Sequence, residues 1–217
     1  MKDIVIFGVG GLGREVAELI EDINEDKKIW NLLGWLDGNS EKHGEMVHCL
    51  PVLGDASWTA KNVGTSVIVA VGGPKVKRNI VQSLGDCAFG TLIHPNVKIR
   101  SRVRVGEGSI ICEGTQITTN IEIKRHVVIN IGCTVGHDTI IEDFSTIAPG
   151  VNDSGNVSID EGVDVGTGSR IIQGIRIGAW SIVGAGAVVS RDLASNITAV
   201  GVPAKVIKER ENGWHLS

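Results

Sequence analysis

Every sixth residue is isoleucine or valine in the stretch INIGCTVGHDTIIEDFSTI, residues 129–147. The same period runs without a change of register from Ile93 to Ala194, and Asp153 alone breaks the apolar series. A small or branched residue stands four positions after each apolar one, with glycines between them. An ordinary β-sandwich would give a period of two with irregularly spaced turns. The period of six therefore predicts a solenoid of short strands, in which each coil buries its apolar side chains against the coils above and below.

The first 92 residues follow a different pattern. The buried strand Ile4–Phe7 runs directly into the glycine-rich stretch Gly8–Gly13, and a helix with one apolar face follows. Two more strand patterns end at Asp37 and at Gly72. This alternation predicts a small Rossmann-like βαβαβ unit, so the chain combines an α/β unit with an all-β unit.

We divide the chain accordingly into three parts. Residues 1–92 are predicted to bind a nucleotide sugar, and residues 93–206 to form the catalytic β-helix. Residues 207–217 form a polar C-terminal tail, which we expect to be partly disordered.

The glycine-rich stretch has the spacing of a dinucleotide fingerprint, in which bare backbone approaches a phosphate at the positive end of a helix. Asp37 ends the next strand, where a carboxylate can meet a ribose or a base. A unit of about 90 residues is half of a full dinucleotide-binding fold, so a mononucleotide fits better than a nicotinamide cofactor. The candidate substrate-binding residues are Gly10, Gly11, Asp37, Gly38 and Gly72. The alternative is a glycine turn that serves only close packing.

Composition narrows the function further. The 217 residues carry a net charge of −4 and contain no apolar run long enough to cross a membrane. We therefore expect neither a nucleic-acid partner nor membrane insertion, and we expect a cytoplasmic protein without a signal peptide. The four cysteines lack zinc-ligand spacing, so they are predicted to be reduced and structural.

A Rossmann-like unit followed by hexapeptide repeats resembles the bacterial nucleotide-sugar acetyltransferases of the PglD and NeuD type. Further marks of the resemblance are Ala70–Lys75, Asn130 seven residues before His137, and Gly201–Lys205. The resemblance implies a left-handed parallel β-helix with three six-residue repeats in each coil. It also implies acetyl-CoA as co-substrate, no metal, a role in surface glycan synthesis, and a homotrimer with active sites at the subunit interfaces.

The same resemblance places the catalytic base at His137. Asp138 is positioned to orient the imidazole ring, and Asn130 is a further candidate catalytic residue. Because one coil contains 18 residues in this family, Gly155 is expected directly over His137, and its backbone N–H is the predicted oxyanion donor. The alternatives are an ordinary surface histidine at His137 and a local bulge that accommodates Asp153.

Acetyl-CoA is expected along the outside of the solenoid, where small residues leave a groove between subunits. The candidate contacts are Gly155, Thr167, Ala185, Pro203 and Lys205, with Lys205 near a phosphate. Outward apolar residues should be buried in the trimer, and they are Ile110, Val128, Ile131, Ile140, Ile172 and Ile182.

Two positions depart from the family pattern, because Thr146 and Leu12 stand where relatives often carry histidine. These departures leave the acceptor sugar open. Transfer of acetyl to the amino group of a nucleotide-linked deoxysugar is the first hypothesis, and O-acetylation of a sugar hydroxyl is the second. A scaffold or a carbonic-anhydrase-type metal enzyme is the third, but His126 and His137 lack a suitably spaced third histidine.

Overall fold

The structure is a computed structural model that describes residues 1–216. Its N-terminal part is a sheet with the strand order β3-β4-β2-β1-β5, flanked by helices. The strands are β1 (Lys2–Phe7), β2 (Trp30–Leu36), β3 (Met46–Val47), β4 (Leu50–Gly54) and β5 (Ser66–Val69). The helices are α1 (Gly11–Asp26), α2 (Trp58–Lys61) and α3 (Pro74–Leu84), with a short 3₁₀ turn at Ser40–Lys42. Strands β1, β2, β4 and β5 are parallel, and β3 forms an antiparallel hairpin with β4.

From Leu92 onward, short strands pair into three walls within the described part of the chain. The first wall contains β7 (Val103–Val105), β10 (Ile121–Ile123), β13 (Ile140–Ile141), β16 (Ser158–Ile159) and β19 (Arg176–Ile177). The second wall contains β6 (Leu92–Ile93), β8 (Ile110–Ile111), β11 (Val128–Ile129), β14 (Thr146–Ile147), β17 (Asp164–Val165), β20 (Ile182–Val183), β22 (Ile197–Val200) and β23 (Lys205–Glu209). The third wall contains β9 (Gln116–Ile117), β12 (Thr134–Val135), β15 (Asn152–Asp153), β18 (Arg170–Ile171) and β21 (Val188–Val189).

The pairing confirms the coil length. Val128 pairs in parallel with Thr146, and Ile129 pairs with Ile147, each 18 residues further on. The sixth-position residues point into the prism, where those from Ile111 to Val189 form one core cluster. Asp153 lies at the same inward position and is buried, although it carries a carboxylate. The predicted domain limits at residues 92 and 206 remain predictions.

The outside of the second wall is covered by the N-terminal part of the chain. Ile110 and Val128 point outward from the prism, yet they are only 0% and 1% exposed. They belong to the same apolar cluster as Val16 and Ile20 of α1. The prediction that these two residues are exposed for trimer packing is therefore wrong, because the hexapeptide period gives the direction of a side chain and not what covers it. Ile131, by contrast, is 53% exposed.

As far as Leu216, the C-terminal tail is packed rather than partly disordered. Strand β23 runs antiparallel to β22, and a 3₁₀ turn follows at Trp214–Leu216. The ring of His215 stacks on Trp180, with ring centroids 3.9 Å apart. The Arg210 guanidinium lies over the Trp214 ring. The expectation of disorder was wrong for residues 207–216, because His215 stacks on Trp180 of the β-helix and Trp214 lies against Arg210 and against Lys75 of α3.

Candidate active site

His137 lies on an exposed corner of the β-helix, between β12 of the third wall and β13 of the first wall. Its side chain is 47% exposed, and Nδ1 is 2.8 Å from Asp138 Oδ2. Asn120 donates a hydrogen bond to Asp138 Oδ1 over 3.1 Å. The hydrogen bond with His137 and, to a smaller extent, the one from Asn120 hold the pKa of Asp138 below its ordinary value. With a proton on Nδ1 toward the carboxylate, Nε2 presents a lone pair and can accept a proton.

Gly155 lies against the His137 ring, as the 18-residue coil predicts. A Cβ built on Gly155 would be 2.9 Å from Nε2 and 3.0 Å from Cδ2 of His137. The glycine has a φ of +104°, which side-chain-bearing residues rarely adopt. Gly136 completes the close approach of the two coils, because a Cβ there would collide with the backbone of Gly155. The imidazole can rest on this corner only because Gly155 has no side chain.

The backbone N–H of Gly155 points inward. It donates a 2.7 Å hydrogen bond to Asp153 Oδ1 in the core of the prism. An N–H that is engaged in this way is not available to a developing oxyanion on the outside of the corner. The structure therefore does not support the oxyanion role predicted for the Gly155 N–H, because the broken repeat at Asp153 supplies an acceptor that an apolar residue would not.

Except for Gly155, the candidate acetyl-CoA residues lie away from the His137 corner. Thr167 and Ala185 are exposed and follow β17 and β20, at the junction of the second and third walls. Asn130 follows β11 at the same junction, and its Oδ1 accepts from the Ile131 N–H at 2.7 Å. His137 stands at the opposite edge of the third wall. A single chain thus does not bring the predicted base together with Asn130 and the two wall residues.

The two remaining candidate acetyl-CoA contacts lie after β22, at the C-terminal end of the β-helix. Pro203 and Lys205 are exposed. Between them, the Ala204 N–H donates to the Val188 carbonyl of β21 over 2.8 Å. Pro203 therefore lies next to the last strand of the third wall, whereas Lys205 begins β23 of the second wall and pairs with Val200.

The glycine-rich loop divides into two kinds of glycine. A Cβ on Gly13 would lie 1.9 Å from the Gly8 carbonyl oxygen, so Gly8 and Gly13 serve close packing between β1 and α1. Gly10 and Gly11 are exposed at the start of α1, and a Cβ on either would have open space. Backbone N–H groups at this helix N-terminus are accessible to an anion. The packing interpretation of the motif therefore holds for Gly8 and Gly13, and phosphate binding at Gly10 and Gly11 stays a prediction.

Asp37 and Gly38 line a cleft of about 710 Å³ beside the carboxyl ends of β1, β2 and β5. Asp37 accepts hydrogen bonds from the Asn39 and Val9 N–H groups and lies 3.2 Å from Lys42 Nζ. Partial burial works against ionisation, but these hydrogen bonds and the Lys42 charge hold the pKa of Asp37 below its ordinary value. The carboxylate is therefore an anionic acceptor at the cleft.

The cleft contains polar residues that the sequence analysis missed. They are Asp55, Ser57, Asn79 and Ser83. Asp55 and Ser57 follow β4, which is not part of the predicted βαβαβ pattern, and Asn79 and Ser83 lie one helical turn apart on α3. The polar residues at a spacing of four on α3 were the available signal, since such residues share a helix face.

Gly72 is tied to the β-helix by a buried polar network. Thr146 Oγ1 donates to the Gly72 carbonyl at 2.6 Å, and Lys77 Nζ lies 2.9 Å from the same hydroxyl. Lys77 is 1% exposed and also donates to the Ser145 carbonyl. Burial lowers the pKa of Lys77 to about 7, with the Asp164 carboxylate opposing the shift. Thr146, at the position where relatives often carry histidine, thus holds the loop that follows β5.

Two further histidines, His126 and His94, are buried in the fold. His126 is buried between Phe89 and Phe144, and burial lowers its pKa to about 4. His94 is buried and lies 3.4 Å from Asp22. Within residues 1–216, no group of three His, Cys, Asp or Glu side chains is arranged to hold a metal ion. In the same range, no helix is both long and apolar enough to span a membrane.

Comparisons with known proteins agree with this architecture. Residues 3–84 match the PglD N-terminal domain family. GDP-perosamine N-acetyltransferase of Escherichia coli O157:H7 is 32% identical over 212 residues, which covers 94% of this chain and 95% of the relative. A histidine-to-asparagine variant of perosamine N-acetyltransferase from Caulobacter crescentus, solved with CoA and GDP-perosamine, superposes with a TM-score of 0.87 at 30% identity. That alignment covers 96% of this chain and 98% of the other.

A third relative extends the comparison to another bacterium. The acetyltransferase domain of PglB from Neisseria gonorrhoeae, solved with acetyl coenzyme A, gives a TM-score of 0.85 at 28% identity. The alignment covers 95% of this chain and 99% of that domain. The chain therefore has a Rossmann-like unit followed by a left-handed parallel β-helix, and it belongs to the hexapeptide-repeat family that includes GDP-perosamine N-acetyltransferase.

Proposed function

We propose that this chain transfers an acetyl group from acetyl-CoA to the amino group of a nucleotide-linked amino-deoxysugar. The observation that carries the proposal is the exposed His137 imidazole, oriented by Asp138, with Nε2 resting on Gly155. The relatives support the choice of substrates. Two of those described above are named as perosamine N-acetyltransferases, one of them solved with CoA and GDP-perosamine, and the third is an acetyltransferase domain solved with acetyl coenzyme A.

The reaction forms a C–N bond and breaks a C–S bond. The sugar amine attacks the thioester carbonyl, and Nε2 of His137 takes the proton that the amine loses. The Asp138 carboxylate stabilises the imidazolium that forms. The tetrahedral intermediate then collapses, and the CoA thiolate leaves and takes up a proton. No step requires a metal ion.

The nucleotide part of the acceptor occupies the cleft at the N-terminal sheet in this proposal. Gly10 and Gly11 present backbone N–H groups to the diphosphate at the N-terminus of α1. Asp37 accepts a hydrogen bond from the ribose or the base. Gly38 and Gly72 leave room for the backbone to approach the substrate.

The active site is completed by a second copy of the chain. Of the candidate acetyl-CoA residues, Gly155 lies beside His137, whereas Thr167 and Ala185 stand at a different corner of the same prism, so a neighbouring prism must supply one of the two halves. Ile131, Ile140 and Ile172 remain exposed for such packing. A threefold arrangement closes with three identical sites. We therefore propose a homotrimer of about 69 kDa, three times the 23.0 kDa chain, located in the cytoplasm.

A thiol-release assay tests the activity. Purified protein is incubated with acetyl-CoA and a panel of GDP-, UDP-, dTDP- and CMP-linked 4-amino sugars, with the matching 4-hydroxy sugars as controls. Thiol release with an amino sugar only, and a product heavier by one acetyl group, would support N-acetylation. Release with the hydroxy sugars would favour O-acetylation, and no release with any acceptor would refute both.

A further inference from the structure

Asp153 is the one inward third-wall residue from Ile117 to Val189 that is not apolar. The others in this column are Ile117, Val135, Ile171 and Val189. Asp153 is 7% exposed, and its Oδ2 is buried with no hydrogen-bond partner. Burial raises the pKa of this carboxyl, which shows that the core is an unfavourable place for its charge. The neighbouring coils carry valine or isoleucine at this inward strand position, so the parallel pairing of the third wall does not need a carboxylate here.

Every donor to Asp153 flanks His137. Oδ1 accepts from the Gly155 N–H at 2.7 Å and from Thr139 Oγ1 at 3.1 Å, and the Gly136 N–H approaches it at 3.4 Å. Gly136 directly precedes His137, and Thr139 follows it by two residues. Gly155 is the surface on which the imidazole lies.

We infer that Asp153 is a positioning residue for the catalytic base. From inside the prism, its Oδ1 fixes the backbone on both sides of His137 and the glycine beneath the ring. The carboxylate touches neither substrate, so it acts only through the placement of Nε2. The inference rests on the proposed role of His137 as base.

Two substitutions separate the positioning role from a structural one. Asp153→Leu removes the acceptor but leaves an apolar side chain of similar size, as elsewhere in the column. We expect kcat to fall about 10- to 100-fold, because a displacement of the order of 1 Å costs about this much in rate. KM for both substrates should stay within about threefold. The melting temperature should change little, because removing a buried carboxylate with an unpartnered oxygen offsets the cost of leaving the Gly155 N–H and the Thr139 hydroxyl without their acceptor. Asp153→Asn keeps an acceptor oxygen and should stay within about threefold of the wild-type kcat.

The matched control is Ile171→Leu, one coil further along the same column and without a polar contact. Wild-type kcat in Asp153→Leu would overturn the inference. So would an Asp153→Leu chain that fails to fold, because Asp153 would then be required by the fold. Loss of activity in Asp153→Asn equal to that in the leucine variant would show that the charge matters rather than the acceptor, and would also overturn it.

A measurement without substrate keeps this test separate from the proposed function. In ¹H–¹³C spectra of histidine-labelled protein, the His137 ring signal is identified by its absence in His137→Ala. We expect this signal to shift in Asp153→Leu and to stay in place in Ile171→Leu. An unmoved signal overturns the inference even if no acceptor is acetylated, whereas an inactive wild type with a moved signal refutes only the proposed function.

Discussion

Replacing Gly155 by alanine should damage catalysis more than folding. The new Cβ would lie 2.9 Å from His137 Nε2 and 3.0 Å from Cδ2, while carbon atoms in contact prefer about 3.5 Å. The ring, as the movable end of a side chain, must therefore shift by roughly 0.5 Å, which we expect to lower kcat about 10-fold. The φ of +104° adds strain in the backbone. At about 1–2 kcal/mol, this strain should lower the melting temperature by about 2–8 °C.

The control for Gly155→Ala is Gly64→Ala. Gly64 has a similar φ of +96°, and a Cβ there meets nothing within 4 Å. This variant should show a comparable loss of thermal stability with unchanged kcat. Steady-state thiol release and thermal unfolding on the same samples give both quantities. Equal kcat values in Gly155→Ala and wild type would refute the contact between the glycine and the base.

Three more substitutions test other parts of the molecule. His137→Ala should lower kcat by about 10²- to 10⁴-fold in the thiol-release assay with little change in KM for acetyl-CoA, and an unchanged kcat would remove the base assignment. Gly11→Val should weaken nucleoside diphosphate binding in calorimetric titration, because open space at Gly11 lets the variant fold while its side chain covers the phosphate site; unchanged affinity would leave the loop a packing element. Lys77→Met should flatten the pH dependence of stability. Burial lowers the pKa of Lys77 from 10.5 to about 7, so the unfolded chain binds the extra proton in this window. The wild-type free energy of unfolding therefore rises with pH, by about 3 kcal/mol between pH 7 and 9.5 relative to the variant. Urea unfolding at several pH values from 6 to 9.5 measures this difference, and parallel curves for the two proteins would contradict it.

The β-helix was predictable because its period is written directly in the side chains. Isoleucine or valine at every sixth position fixes which residues face inward, and the pairing of Val128 with Thr146 confirms the coil of 18 residues. The close approach of Gly155 to His137 follows from that number alone. The positions of the glycine loop and Asp37 were predictable for a similar reason, since both follow strands that the sequence marks clearly. Their roles in substrate binding stay predictions.

Other features depend on contacts between distant parts of the chain. No local pattern shows that α1 covers Ile110 and Val128, or that Thr146 reaches the Gly72 carbonyl. The break in the repeat at Asp153 was visible, but the direction of the Gly155 N–H depends on where the carboxylate points. Sequence reasoning located this irregular segment correctly but did not show that its N–H was already engaged.

The apolar packing of α1 on the second wall limits how acceptor specificity can change. Ile110 and Val128 share one core cluster with Val16 and Ile20, so a nucleotide-binding unit transplanted from a distant relative would need a complementary surface before it could dock. Polar residues at the cleft, such as Asp55, lie outside this cluster and can be replaced without disturbing it. We therefore expect new sugar-nucleotide preferences to arise by point substitution within the cleft rather than by recombination of whole units.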